Sequence, residues 1–245
     1  MEAEEYIKMG ELEKNHWYFK AKRKFLDILL VKYITEYSGK IHVLDVGCGT
    51  GAVLEQMAAK HFTVSGVDIN DTALAYCRDK GFQVERGSAD KMPYASASFD
   101  IVFALDVLEH LENPELALQE VKRVLKKDGL FIVTVPAHQW LWSYHDESLH
   151  HKKRYSKQGI HNLLHTQLQV LQVSWIHAFI LLPGILLRSL KNFVNKKNNG
   201  SDVKESSVII NHCMSVIYML EFALFKLFGT LPFGLSLLAV GKKKD

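Results

Sequence analysis

The stretch IHVLDVGCGTG at residues 41–51 combines a short apolar run, an acid within it and three glycines at alternate positions. The apolar run predicts a buried parallel strand over residues 41–46. The glycines predict the turn of that strand into a helix beginning near Ala52. Glycine allows backbone to turn tightly and to approach a ligand closely. Because open α/β sheets bind ligands at the carboxyl ends of their strands, we expect a ligand at this turn.

Length and composition indicate one ordinary α/β domain with additions. The chain has 245 residues, of which 48% are apolar and 23% charged, and a net charge of +3. The small net charge and the absence of a long Lys/Arg block argue against nucleic acid as a partner. Three scattered cysteines favour a reduced, cytoplasmic setting over a disulfide framework. The acidic start is unlike a signal peptide, and no uninterrupted apolar run reaches the roughly 18 residues of a spanning helix.

From residue 41 onward strand and helix patterns alternate, which predicts a doubly wound, Rossmann-like α/β sheet with helices on both faces. The predicted strands cover residues 41–46, 62–67, 82–86, 99–105, 129–135, 168–177 and 235–240. The predicted helices between them cover residues 52–60, 71–80, 107–111, 114–127 and 156–166. Pro114 suits a helix start, and Lys126 and Lys127 before Gly129 suit the end of that helix.

Two regions lie outside the predicted core, which takes residues 39–178 and 234–245. Residues 1–38 predict a lid of two helices, and the HWYF segment at 16–19 either staples the helices together or folds over a ligand. Residues 179–233 predict an apolar helical insertion between the sixth and seventh strands, with a long helix at 208–228. Such a helix lies in a membrane interface or caps a greasy pocket, or else forms a dimer contact or an extra core layer.

Three acids, at the ends of three successive strands, help to decide between two classes of ligand. Dinucleotide enzymes use G-x-G-x-x-G and present a helix N-terminus to a pyrophosphate. Here the spacing is G-x-G-x-G with Asp45 inside the strand, which suits a cationic nucleoside without phosphate, S-adenosylmethionine. Asp68 ends the second strand, where a carboxylate binds ribose hydroxyls. Asp90 follows the third strand and either reaches the adenine amino group or is a surface charge. A nicotinamide-dependent oxidoreductase is the alternative within this fold.

Four segments together resemble the class I S-adenosylmethionine-dependent methyltransferases, above all the small-molecule group that includes ubiquinone-biosynthesis enzymes. They are VLDVGCGTG at 43–51, GVD at 66–68, GSAD at 87–90 and FDIVFALDVLEH at 99–110. The resemblance covers about residues 41–135 and implies a seven-stranded sheet whose last strand is antiparallel. It also implies S-adenosyl-L-methionine as cofactor, with Ala104 and Leu105 below the sulfonium. The cofactor-binding residues are then Asp45, Gly47, Cys48, Gly49, Gly51, Asp68, Ile69, Ala89, Asp90 and Leu105.

Methyl transfer from a sulfonium needs alignment of the acceptor, and a neutral hydroxyl acceptor also needs a base. One candidate base is His110, unless it is a packed histidine. The others lie in the loop at 137–155, as a His145–Asp146 pair or as His150. The acceptor-binding candidates in this loop are Trp140, Tyr144, Arg154 and Tyr155, with Arg154 available for an acidic group. A plain solvated loop is the alternative. The spacing permits a metal, but no second motif supports one, and we predict none.

The end of the fourth strand reads ALDVL at 104–108 and lacks the Asn/Asp-Pro-Pro-Tyr pattern of enzymes that methylate base amino groups. This absence and the small net charge point to a small molecule as the substrate. If the apolar insertion caps a greasy pocket, the acceptor is lipophilic or lipid-linked, and we predict that its oxygen is methylated. The predicted location is cytoplasmic, with peripheral membrane contact or a homodimer formed through the insertion. The alternative is a non-catalytic cofactor-binding protein that holds a partner or a membrane through its apolar helices.

Overall fold

The computed structural model describes residues 10–34, 40–181 and 206–244. Within them, seven strands form one sheet: β1 His42–Val46, β2 Thr63–Asp68, β3 Gln83–Arg86, β4 Phe99–Leu105, β5 Leu125–Pro136, β6 Leu168–Ile176 and β7 Ser236–Lys243. The labelled helices are α1 Trp17–Tyr33, α2 Ala52–Ala58, α3 Asp71–Asp79, α4 Pro114–Val124, α5 Tyr144–Ser148, α6 Lys157–His165 and α7 Val208–Phe228. Residues 10–15 are also helical, and 3-10 turns occupy Leu108–His110 and Gln139–Leu141.

The strands lie side by side in the order β3-β2-β1-β4-β5-β7-β6. β1 to β5 pair in parallel, whereas β7 runs antiparallel between β5 and β6. The predicted seven strands and the antiparallel last strand are thus confirmed. Because the parallel strands point the same way, the carboxyl ends of β1 to β5 meet at one edge, and this edge carries the candidate site.

Apolar side chains cover both faces of the sheet. On one face Leu118 of α4 and Leu164 of α6 are fully buried in the same cluster as strand residues such as Val102. On the other face Leu26 of α1 and Phe225 of α7 share a cluster with Phe103. α1 and α7 also pack on each other, with the rings of Phe25 and Phe225 5.1 Å apart. The N-terminal helix and the insertion therefore cover the same side of the sheet.

The junction between α4 and β5 differs from the prediction of a helix over 114–127. α4 ends at Val124, and Leu125 already has extended backbone, with φ −65° and ψ 139°. Leu125 is fully buried and pairs with Phe99 of β4. Burying a leucine contributes roughly 2 kcal/mol, which outweighs one more helical turn made of polar residues. Lys126 instead reaches Asp100, with Nζ and Oδ2 2.8 Å apart.

The remaining boundaries differ by a few residues, most at 107–111, where a 3-10 turn replaces the predicted helix, and at β7, which extends to Lys243. The helix predicted at 208–228 is present as α7. By length and composition α7 could cross a membrane, with 21 residues and a mean hydropathy of 1.7. Its Tyr218, Glu221 and Phe225 are nevertheless buried against the protein. Much of the predicted insertion, residues 182–205, lies outside the described residues, as do the first nine residues.

Candidate methyl-transfer site

The turn after β1 requires glycine for two reasons: its backbone has positive φ, and neighbouring side chains leave little room for a Cβ. Gly47 and Gly51 have φ +70° and +80°, in the left-handed region that favours glycine. A Cβ at Gly47 would lie 2.7 Å from Cγ2 of Val107, and one at Gly51 would lie 3.0 Å from Sγ of Cys77. The turn therefore touches the loop that follows β4. This contact places any ligand of the glycine turn beside residues 106–110.

Cys48, within this turn, packs inward. It is 5% exposed, and a Cβ added at Gly66 of β2 would lie 2.9 Å from its Cβ and Sγ. A hydrogen bond with Cys77 and burial together raise the pKa of the Cys48 thiol. A protonated, enclosed thiol is not a nucleophile. The side chain thus supports the turn, and only the backbone of Cys48 is available to a cofactor.

Two acids, Asp45 and Asp68, define the electrostatics of the turn. Asp45 is 3% exposed, and its carboxylate has no hydrogen-bond partner among the described residues. Burial, followed by the proximity of Cys77, Glu13 and Asp68, raises the pKa of Asp45 well above its ordinary value. Asp68 accepts hydrogen bonds from the backbone N–H of Gly49 at 3.0 Å and of Asn70 at 2.9 Å. Each of its oxygens keeps a second lone pair.

This donor and acceptor set fits S-adenosylmethionine and disfavours a dinucleotide. An unpaired buried carboxylate is costly until a cation approaches it, whereas a pyrophosphate would be repelled. S-adenosylmethionine would offer its ammonium or sulfonium to Asp45 and its ribose diol to the free lone pairs of Asp68. The residues present therefore fit the group that the sequence predicts.

The other predicted cofactor residues follow the same edge of the sheet. Ile69, directly after Asp68, is 69% exposed and offers apolar surface for a nucleoside base. Ala89 is buried, while Asp90 is exposed and accepts a hydrogen bond from the Ser88 hydroxyl. Leu105 is half-buried at the end of β4. Their order from β3 to β4 matches a nucleoside lying across the strand ends, although Asp90 is also placed as an ordinary surface charge.

Two charged residues of the N-terminal segment enter this site and are absent from the sequence prediction. Glu13, in the helical stretch 10–15, accepts a hydrogen bond from the Thr50 hydroxyl inside the glycine turn. Lys22 of α1 forms a largely buried ion pair with Asp106, the residue after β4. Asp106 also accepts a hydrogen bond from the Thr134 hydroxyl at 2.8 Å. The N-terminal segment thus places opposite charges at the two sides of the site.

A sequence signal for Lys22 exists. Lys22 lies three and four residues before Phe25 and Leu26, on the apolar stripe of α1, where a charge is expected only with a buried partner. Glu221 is likewise a charged residue on the apolar stripe of its helix, α7. Its carboxylate accepts a hydrogen bond from the backbone N–H of Ala178 at 3.0 Å. No comparable pattern marks Glu13, because its helical stretch is short.

In the loop after β5, Asp146 is bonded to His151 and Arg154. Its Oδ1 lies 3.0 Å from Nδ1 of His151, and Arg154 donates to both carboxylate oxygens at 2.7 and 2.9 Å. Burial alone would raise the pKa of Asp146, but these hydrogen bonds outweigh it and hold the pKa well below its ordinary value. Arg154 also donates to the carbonyl of Ala137 at 3.0 Å. The geometry therefore favours a His151–Asp146 pair and gives Arg154 an internal role in place of an acceptor contact.

The other loop candidates spread over different surroundings. Trp140 and Tyr144 are 64% and 45% exposed, so both rings are accessible. Tyr155 is buried, and its hydroxyl donates to the carbonyl of Leu108 at 3.0 Å, which ties this loop to the loop after β4. His150 is exposed, with φ +58°, and the ring of His145 lies 6.4 Å from that of His151. The two loops together form one wall beside the glycine turn.

His110 joins this wall and completes a group of three titratable side chains. Its ring centre lies 4.8 Å from that of His151, and burial, followed by the nearby His151, lowers the pKa of His110. Glu109 is fully buried, and neither of its carboxyl oxygens has a hydrogen-bond partner among the described residues. One ligand-type atom from each of Glu109, His110 and His151 lies within 4.8 Å of the others. Such a group could hold a divalent cation or a polar group of a substrate.

Comparisons with known proteins also indicate a methyltransferase domain. Residues 44–133 match the family model described as a methyltransferase domain. A ubiquinone biosynthesis O-methyltransferase from Nitrosomonas europaea is 30% identical over 144 residues, which are 53% of this chain and 59% of that protein. The one from Azoarcus sp. is 36% identical over 94 residues, 36% of this chain and 40% of that protein. The chain thus spans about half the length of the curated relatives that it matches.

Solved structures support the fold over nearly the whole chain. An S-adenosylmethionine-dependent methyltransferase from Archaeoglobus fulgidus has a TM-score of 0.58 and 20% identity, covering 95% of this chain and 97% of that one. At this identity the likeness concerns the fold alone. The matched domain, the strand order and the acids around the glycine turn agree with one another. Residues 44–133 thus match a methyltransferase domain, and the fold around them is the one found in an S-adenosylmethionine-dependent methyltransferase of known structure.

Proposed function

We propose that the protein transfers the methyl group of S-adenosyl-L-methionine to an oxygen of a small, lipophilic acceptor. The observation that carries this proposal is the His151–Asp146 pair, whose imidazole ring lies 4.8 Å from the ring of His110 in the loop after β4. Two relatives are ubiquinone biosynthesis O-methyltransferases, which supports oxygen as the methylated atom.

Bound S-adenosylmethionine supplies an electrophilic methyl group. The residues of the chain position the donor and the acceptor and remove a proton from the acceptor. The carboxylates around the glycine turn hold the cationic end of the donor, and the loops after β4 and β5 align the acceptor opposite it. The remaining chemical step is the removal of the proton from the acceptor hydroxyl.

His151 is placed to remove that proton. The ionised Asp146 accepts the Nδ1 proton of His151, which fixes the tautomer and leaves Nε2 as the basic nitrogen. Arg154 holds Asp146 from the other side, so the pair is oriented by buried hydrogen bonds. His110 stays neutral beside it because burial lowers its pKa. We therefore assign the base to His151, with Asp146 as its positioning residue.

The lipophilic acceptor is inferred from the aromatic surroundings of Lys22. Its Nζ lies 5.0 Å from the ring centre of Tyr18 and 5.9 Å from that of Phe19. Tyr18 in turn stacks on His177 at 4.6 Å. Rings at the carboxyl edge of the sheet provide a lining for an apolar body, while the Lys22–Asp106 pair provides one polar point.

We further propose that α7 meets a membrane surface from which such an acceptor enters. Its outer face carries exposed apolar side chains, namely Val208, Ile209, Val216, Met219, Leu220, Leu227 and Phe228, which are 55–84% exposed. An amphipathic helix fixed to the protein on one side and apolar on the other suits an interfacial position. A homodimer through this face is the competing proposal, and the two differ in vesicle binding.

The function is tested with S-adenosyl-L-methionine carrying a labelled methyl group and a whole lipid extract, followed by mass spectrometry of the product. We expect a methyl ether. His151→Ala should lower kcat about 10²- to 10⁴-fold, the usual contribution of a general base, and added imidazole should restore part of the rate. His165→Ala, an exposed histidine of α6, is the matched control. Full activity of His151→Ala would remove the base assignment.

A non-catalytic cofactor-binding protein is the second candidate. It predicts calorimetric binding of S-adenosylmethionine with no labelled product from any lipid or phenol fraction. A chelator tests a third possibility, in which the Glu109, His110 and His151 group binds a metal ion. If His151 is a base, EDTA leaves the rate unchanged, whereas loss of activity that Mg²⁺ restores would assign these side chains to a cation.

A further inference from the structure

Glu13 contacts the glycine turn from outside the core. It belongs to the helical stretch 10–15, and its carboxylate accepts a hydrogen bond from the hydroxyl of Thr50, which is 2% exposed between Gly49 and Gly51. The stretch is held there by packing, since a Cβ at Gly10 would lie 2.7 Å from the Tyr76 hydroxyl on α3. Glu13 is therefore positioned by its own segment and not by chance contact of one side chain.

A second observation points to a cation at this place. Asp45, nearly fully buried beneath the turn, has no hydrogen-bond partner among the described residues, and Glu13 and Asp68 add negative charge close to it. Of the cations near Glu13, Lys22 pairs with Asp106, while Lys80 pairs with Glu55 and donates to the carbonyl of Thr50 at 2.8 Å. Arg23 also acts on Glu13, but no ion pair joins the two side chains among the described residues. Two carboxylates beside an unpaired third are destabilising without an incoming positive group.

We propose that Glu13 binds the α-ammonium group of S-adenosylmethionine, so that the N-terminal segment supplies a ligand to the cofactor as well as a cover. This inference rests on the methyl donor proposed above. The ammonium is the suitable group because it lies at the methionine end of the cofactor, where the glycine turn receives it. Asp68 serves the ribose at the opposite side of the turn.

The charge state of Glu13 supports the same role. Burial raises the pKa of Glu13 to about 7, against the opposing effects of Lys22, Arg23 and Lys80, while Glu55 raises it further. A bound ammonium favours the ionised form, so cofactor binding releases a proton below pH 7. The affinity for S-adenosylmethionine should then rise about tenfold between pH 5.5 and 7, through this group alone.

Calorimetry on the full chain with three probes tests the inference. S-adenosylmethionine carries both cations, S-adenosylhomocysteine keeps only the ammonium, and 5′-methylthioadenosine has neither. We expect Glu13→Gln to weaken the first two about tenfold or more, as for a lost charge-assisted hydrogen bond, and to leave the third unchanged. Glu11→Gln, an exposed acid on the same helical stretch, is the control and should change none.

Each other outcome overturns the inference in a distinct way. Weakening of S-adenosylmethionine alone would assign Glu13 to the sulfonium. Equal weakening of all three probes would mean a structural role in closing the segment. No weakening, with Glu13→Gln folded by circular dichroism, would exclude any cofactor contact. If the unaltered protein binds none of the probes, the methyl donor itself is wrong, and the inference is wrong with it.

Discussion

Lys22 occupies a position on α1 where helical periodicity calls for an apolar side chain. The ammonium keeps its charge because, although burial lowers the pKa of Lys22, Asp106 raises it by more. Asp106 has φ +56° and is held in place by hydrogen bonds to Thr134. A strained residue with a buried partner at the end of β4 is typical of a functional position.

Replacing Lys22 by Met should therefore destabilise the protein. The change leaves Asp106 without its cation, and breaking a fully buried pair costs about 3–5 kcal/mol. The side chain of Asp106 is 31% exposed, so water offsets part of this, and we expect a loss of roughly 2 kcal/mol in the free energy of unfolding. Urea denaturation measures it. Lys24→Met, at an exposed position of α1, should change little, and equal effects of both variants would contradict the buried-pair explanation.

At the scale of elements, hydrophobic periodicity predicts helices and strands. It misses features that depend on contact with a residue elsewhere in the chain. β1, β4 and α2 follow the expected apolar runs and glycine signals closely. The end of α4 was mispredicted because Leu125 is apolar in either a helix or a strand, and only pairing with Phe99 decides between them. In the site, strand-end acids follow from the sequence, whereas the partner of Asp146 depends on how the loop folds back at His151.

The exposed face of α7 makes a prediction about a whole element. Met219→Glu with Leu227→Glu should lower binding to phosphatidylcholine–phosphatidylglycerol vesicles more than tenfold, since burying each apolar side chain contributes roughly 1.5–3 kcal/mol. Vesicle flotation measures it. Leu116→Glu with Gln119→Glu adds the same charge on α4, across the sheet, and should leave binding unchanged. A dimer in gel filtration that this α7 variant dissociates, without vesicle binding, would favour the homodimer.

At the scale of the whole molecule, His177 is where sheet, N-terminal helix and insertion meet. It follows β6, stacks on Tyr18 of α1, and lies 2.6 Å from the hydroxyl of Tyr218 on α7. It is fully buried with φ +62°. Burial, aided by Lys22, lowers the pKa of His177 to about 3. One neutral imidazole thus joins three parts of the fold.

Acid should loosen this junction. Between pH 6.5 and 3 the unfolded chain binds a proton at His177 and the folded protein does not, so the stability contributed by the neutral ring is lost as pH falls. Each pKa unit is worth about 1.4 kcal/mol, which gives a loss of roughly 5 kcal/mol over this window. His177→Asn, tolerated at positive φ, should flatten unfolding free energy against pH by that amount. His165→Asn should keep the original slope, and an unchanged slope in His177→Asn would refute the prediction.

The place of β7 in the sheet also governs the order in which the molecule can assemble. β5 and β6 do not pair with each other, and both take β7 as their neighbour, about a hundred residues after β5 along the chain. During synthesis β5 keeps an open edge until residues 236–243 have been made. Pairings so distant in sequence slow folding and leave strand edges open to aggregation. A chaperone that shields the β5 edge would therefore raise the yield of this protein more than one acting at β3.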